Sequence, residues 1–117
     1  MTISVTEQIA RLNDRCRQGF DPTARLVVTR ACLARLAGEE DAVREIIAQA
    51  ELLAAVRRYD FGSDDGPERD FGAFDLRGER IFFKIDYYDP ALEFGSEDPA
   101  DASLTRRVLT IMLAEDY

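Results

Sequence analysis

The chain has 117 residues, 46% of them hydrophobic and 32% charged, and a net charge of −8. That length suits one domain with one core, here residues 1–117, and the composition excludes wholesale disorder. The acidity opposes sequence-independent binding to nucleic acid or anionic membrane, and no apolar run approaches the roughly 20 residues of a membrane span.

The opening MTISVTEQIA lacks the basic and apolar regions of a signal peptide, which points to the cytoplasm. Ser4-Val5-Thr6-Glu7 has capping-box spacing, with Ser4 as N-cap and Glu7 reaching back to it. Val5, Ile9, Leu12 and Cys16 then fall on one helical face, and Gly19 is positioned to stop the helix. Asp21-Pro22 makes a turn, and Arg25 to Thr29 reads as a short strand because it is rich in β-branched residues. Ala31 to Leu36 reads as a helical turn. From Glu39 onward, Val43, Ile46, Ile47, Ala50, Leu53 and Ala54 form an apolar stripe expected to face the core. Acids Glu39, Glu40 and Asp41 stand at its start and Arg57-Arg58 at its end, as the helix dipole favours.

Phe71–Leu76 and Arg80–Tyr88 form a predicted hairpin closed at Arg77-Gly78. A two-residue loop sets Phe74 opposite Ile81 and Asp75 opposite Arg80. Alternation sends Ile81, Phe83, Ile85 and Tyr87 to one face, and Phe82, Lys84, Asp86 and Tyr88 to the other. A last helix is expected to start at Asp98-Pro99 or Asp101, burying Leu104, Val108, Ile111 and Met112. The predicted fold is α+β: a small antiparallel sheet, one strand plus the hairpin, with about three helices on one face. Its core is expected to gather Phe74, Ile81, Phe83 and Ile85 from the sheet with Ile9, Leu12, Ile46, Leu53, Val108 and Met112 from the helices.

Charge is unevenly distributed. Residues 1–58 carry nine basic residues against eight acids, whereas residues 59–117 carry six against fifteen. The densest part is KIDYYDPALEFGSEDPAD, residues 84–101, with six carboxylates and three aromatics. Its acids serve either as solvated turn and cap residues or as a recognition surface made of Tyr88, Asp89, Glu93, Phe94, Glu97 and Asp98. Such a surface suits a protein partner with a basic groove, because aromatic anchors supply contact and complementary charge supplies register.

RDFGAFDLRGERIFFKIDYYD, FGSEDPAD and TRRVLTIMLAEDY resemble the domain of unknown function family numbered 3768, as do IARLND and LVVTR more loosely. The resemblance implies a small bacterial protein of plasmids and integrated mobile elements, encoded near antirestriction-type genes. Members often carry a histidine just before D-F-G. This chain has Arg69 there and no histidine anywhere, so a histidine-dependent role cannot operate.

The missing histidine also removes the usual base for a nucleophile. Cys16 and Cys32 lack metal-ligand spacing and read as reduced, buried thiols, so no metal site is expected. Phosphate-binding glycine loops and the D-x-[DN]-x-[DN]-G calcium pattern are absent, and no cofactor is expected. One catalytic alternative uses Lys84, Asp86 and Asp89 around a small molecule, although Lys84 and Asp86 also suit a surface ion pair. Arg11, Arg15, Arg25 and Arg30 form a basic patch, but the interspersed acids Glu7, Asp14 and Asp21 dilute it, arguing against direct nucleic-acid contact. The combined expectation is a non-catalytic, protein-binding modulator or inhibitor of a nucleic-acid-handling, anti-defence type partner.

Overall fold

A computed structural model describes residues 2–38 and 41–117. Helix α1, Val5–Arg17, starts where its cap predicts: Ser4 Oγ accepts from Glu7 N–H at 3.0 Å. The reciprocal half of the capping box is diverted, because the Glu7 carboxylate faces Arg11 at 3.4 Å and Arg69 at 3.7 Å. Gly19, at φ +84°, ends the helix as expected. The buried face is rotated from the predicted one: Ile9, Ala10, Asn13, Cys16 and Arg17 are buried, Leu12 is half-buried and Val5 is exposed.

Strand β1, Arg25–Val28, stops one residue short of expectation because Thr29 caps the next helix, accepting from Cys32 N–H at 3.3 Å. That helix, α2, spans Arg30–Ala37, where only a turn was predicted. Helix α3, Ala42–Arg58, is capped by Asp41; Glu39 and Glu40, also expected at its start, lie outside the described residues. Its orientation corrects the sequence reading. Ala48, Leu52 and Val56, one residue per turn, enter the core, while Val43, Ile46 and Ile47 face outward. Both rows are apolar, and the narrower, smaller one fits beneath the sheet.

The hairpin forms in the predicted register. β2, Phe71–Leu76, and β3, Glu79–Tyr88, pair Phe74 with Ile81 and Asp75 with Arg80. Arg77 and Gly78 hold φ of 52° and 81°, as a primed two-residue turn requires. Arg77 is an unusual choice there, but its guanidinium donates to Leu36 O at 2.9 Å and to Glu51 at 2.7 Å, tying the turn to α2 and α3. Gly72 lies so close to Phe83 that a Cβ would fall 2.4 Å from the ring.

The predicted last helix is a strand, β4, Arg106–Leu113. Its residues fit both periods, a known ambiguity of short apolar runs. Tertiary pairing decides: β4 runs antiparallel to β3 and parallel to β1, giving the order β1-β4-β3-β2. The sheet is therefore mixed and four-stranded, not antiparallel and three-stranded. Asp101 does act as a cap, but of the short 3-10 turn Ala102–Leu104.

Ile81, Phe83, Ile85, Leu109, Ile111 and Leu113 form the sheet side of the core, against Cys16, Cys32, Leu36, Ala48, Leu52 and Val56 from the three helices. Phe74 and Leu53 pack at its margin. Met112 is buried on the opposite face of the sheet, and Val108, on that same face, is half-buried. There Tyr117 closes over Phe71 and Phe82, with ring centroids 5.7 and 5.6 Å away.

Candidate functional site

Residues after β3 turn back on themselves. Asp89 N–H donates to Phe94 O at 2.8 Å, Ser96 N–H donates to Tyr87 O at 3.1 Å, and Tyr88 bridges to Gly95. Leu92 takes φ +61° to close this turn. Further along, Ser96 Oγ contacts Thr105 Oγ1 at 2.7 Å, and Thr105 Oγ1 donates to Asp98 O at 2.8 Å. The loop is thus latched at both ends.

Its carboxylates divide into two groups. Asp89 Oδ1 accepts from Glu93 N–H at 2.9 Å, Asp98 Oδ1 from Ala100 N–H at 3.1 Å, and Asp101 Oδ1 from Ser103 N–H at 2.9 Å. These three organise backbone turns. The Ser103 hydroxyl, joined by the Ser103 N–H, also holds the Asp101 carboxyl below its usual pKa range. Glu93 and Glu97, by contrast, are exposed and neither makes an ion pair among the described residues.

Asp89, Phe94 and Glu97 meet around a cleft of about 380 Å³ that Pro90, Gly95 and Leu104 complete. Phe94 is 71% exposed although its backbone is pinned. Tyr88 is half-buried at the end of β3, and Asp98 faces a separate groove beside Val5, Gln8 and Leu12 of α1. Of the six residues expected to form one surface, three line this cleft.

Lys84 and Asp86 lie on the sheet face turned away from the helices and pair at 3.0 Å. The cleft at Asp89 includes neither of them. In the arginine patch, Arg11 pairs with Glu7 and Arg30 with Glu45, while Arg15 donates to Phe20 O at 3.3 Å. Among the described residues, no group of three or more histidine, cysteine or acidic side chains could hold a metal ion. Among the described residues, no helix is long and apolar enough to cross a membrane.

A polar junction behind the loop was not foreseen. Arg107 is 1% exposed, and Asn13 is 0% exposed. Arg107 Nε donates to Asn13 Oδ1 at 2.7 Å and Nη2 donates to Pro99 O at 2.6 Å. Asn13 Nδ2 in turn donates to Tyr87 Oη at 2.8 Å and to Glu68 O at 3.0 Å. Burial lowers the Arg107 pKa from the ordinary arginine value, yet a guanidinium stays charged. Among the described residues no carboxylate pairs with it within 4.0 Å; amide and carbonyl oxygens and the Tyr87 ring face, 5.1 Å away, take that role. Next to it, Arg69 grips Asp14 at 3.1 and 2.8 Å with φ +57°. The one available signal was Asn13 standing between Ile9 and Cys16 on an otherwise apolar helical row.

The network fixes α1 to β3, to β4 and to the end of the acidic loop at Pro99, so the loop is presented from a rigid base. Comparison with curated proteins and with solved structures finds no match. A family model described as a protein of unknown function, DUF3768, matches residues 28–116, so it takes in β1's last residue and every later helix and strand but omits α1. The chain belongs to that family.

Proposed function

We propose that this protein is a non-catalytic modulator, an inhibitor in its simplest form, of a nucleic-acid-handling partner, and that the acidic loop is its recognition surface. The observation that carries the reading is Phe94: a large aromatic 71% exposed on a backbone latched by hydrogen bonds. A ring displayed on an ordered loop loses little conformational freedom on docking, so most of its contact energy is available for binding. Glu93, Glu97 and Asp89 surround it with negative charge, which selects a partner with a basic surface such as a nucleic-acid groove. The mobile-element setting and an anti-defence type of partner follow from the family resemblance.

The test is affinity capture from the native host with three forms of the protein. Wild type is expected to retain a nuclease, restriction, CRISPR or plasmid-maintenance component. Phe94→Ala combined with Glu97→Lys is expected to lose it, while Arg11→Glu combined with Arg15→Glu keeps it. Loss with the arginine variant and retention with the loop variant would overturn the proposal and move the working surface to α1.

The catalytic alternative built on Lys84, Asp86 and Asp89 gains no support from the geometry. Lys84 and Asp86 satisfy each other, which also raises the Lys84 pKa through the hydrogen bond from its ammonium to Asp86. Turnover in a substrate screen that disappears with Asp86→Asn would reverse this preference.

A further inference from the structure

Helix α3 has two apolar faces and the protein uses one. Ala48, Leu52 and Val56 are fully buried, whereas Val43, Ile46 and Ile47 are 64%, 69% and 48% exposed. The outward residues are not scattered. Val43, Ile46 and Ala50 recur at spacings of three and four, the seam spacing of paired helices, with Ile47 and Ala54 widening the face and half-buried Leu53 at its edge, where it also packs against the core. A helix that is apolar almost all round is normally buried on both sides. We propose that this face is covered by the same face of a second copy of the chain, packed antiparallel about a two-fold axis.

Two features of α3 select that occupant. The first is the internal symmetry of its pattern. Ala50 is the central residue of Ala42–Arg58, and a two-fold axis there puts Ile46 against Ala54 and Ile47 against Leu53 of the other copy. Ile46 meets a small residue, Ile47 meets another aliphatic one, and two alanines at the axis let the backbones approach closely. A self-complementary patch is what an isologous dimer needs.

The second feature is charge. The helix begins at Asp41 and ends at Arg57-Arg58, and among the described residues neither arginine makes an ion pair. Antiparallel packing carries each arginine pair to the acidic start of the other helix and also opposes the two helix dipoles favourably. Parallel packing would stack the like-charged ends. Arg44 pairs with Asp41 only at 3.9 Å and lies away from the seam, so it does not cancel this preference.

The contact is small. One 17-residue helix per partner falls short of the roughly 800 Å² per partner of a stable complex, so the dimer is expected to be weak and reversible, with a dissociation constant between about 1 μM and 1 mM. The net charge of −8 on each chain adds repulsion, so association is expected to strengthen when salt screens it.

Sedimentation across a concentration series tests the pairing itself. Wild type is expected to pass from monomer to dimer, and Ile46→Glu to raise the dissociation constant at least about thirtyfold, since it removes an anchor and buries a charge. Ile46 is exposed in the single chain, so this variant should keep the wild-type melting curve at concentrations where the wild type is monomeric. Disulfide trapping tests the direction. Ala50→Cys should cross-link to itself, and Ala42→Cys should cross-link with Arg58→Cys but not with itself; native Cys16 and Cys32 are buried and do not compete. Wild type that stays monomeric up to about 1 mM, the weak end of the expected range, would overturn the proposal. So would self-linking of Ala42→Cys, because only parallel helices bring those positions together.

Discussion

The acidic loop and the junction of Asn13, Tyr87 and Arg107 are neighbours joined at Pro99, yet they handle charge in opposite ways. In the loop, carboxylates are plentiful and water-facing, and their firm bonds are to backbone N–H groups. In the junction a single cation is almost wholly removed from water and satisfied by neutral oxygens. Abundant charge at a surface adjusts encounter and solubility at little cost in stability. One buried charge fixes geometry, because every group around it must remain in place. The region conspicuous in the sequence is thus the energetically tolerant one, and the inconspicuous region sets the architecture.

The largest effects should come from leaving the buried cation alone. Asn13→Ala removes the acceptor of Arg107 Nε and two donors at once, and is expected to cost about 3–5 kcal/mol in denaturant unfolding. Arg107→Met removes the charge itself and leaves Asn13 Oδ1 and Pro99 O without that donor, so about 1–3 kcal/mol is expected. If Arg107→Met proves the more damaging of the two, the guanidinium is a net stabiliser rather than a fixed point that its neighbours must satisfy.

Alkaline pH tests the same region from another side. Burial, the main cause in each case, pushes Tyr87 up to about 12 and both Cys16 and Cys32 up to about 11. Each folded pKa lies above its unfolded value, so the neutral forms favour the folded state. That stability is fully present below about pH 9 and drains away between about pH 9 and 12 as the unfolded chain ionises first. Melting temperature should fall steeply over that interval, and less steeply in Cys16→Ala. An unchanged melting temperature at about pH 11 would contradict the burial of these groups.

Effects in the loop should be smaller. Asp101→Ala removes the cap of a single 3-10 turn and should lower the melting temperature by only a few degrees. Reversing Glu93 and Glu97 to lysine should change stability by no more than about 0.5 kcal/mol, while altering partner association and its salt dependence. Asp89 is left out of that pair because its Oδ1 holds the Glu93 N–H. A large stability loss from Glu93 and Glu97 alone would erase the contrast between the two regions.

Much of the fold was legible. The cap at Ser4, the acidic start of α3 at Asp41, the stop at Gly19 and the hairpin register all rest on local chemistry, and local chemistry is written in consecutive residues. The failures share one cause, the choice between two apolar sets offered by one segment. For residues 104–113 the helical set and the alternating set overlap, and only pairing with β3 and β1 separates them. For α3, both rows are apolar and only the space under the sheet selects the smaller one. At the candidate site, the acidic loop was visible as composition, but its division into turn-holding and free carboxylates depends on backbone geometry. Arg107 is not legible because a helical period leaves it outside the apolar row, whereas the strand places it on the core face with Leu109 and Ile111.

The order of the strands has a consequence for how the molecule comes into being. β4 lies between β1 and β3, so β1 has no neighbour in the sheet until residues 106–113 have been synthesised, some eighty residues after it. The β2–β3 hairpin can assemble early from adjacent segments, whereas the parallel β1–β4 pairing must wait and must close a long loop. During that wait Leu26 and Val27 form an unpaired strand edge, open to association with other chains. Pulse-labelled amide exchange during refolding should therefore protect β2 and β3 before β1. A nascent chain stalled before Arg106 would leave β1 dependent on chaperones.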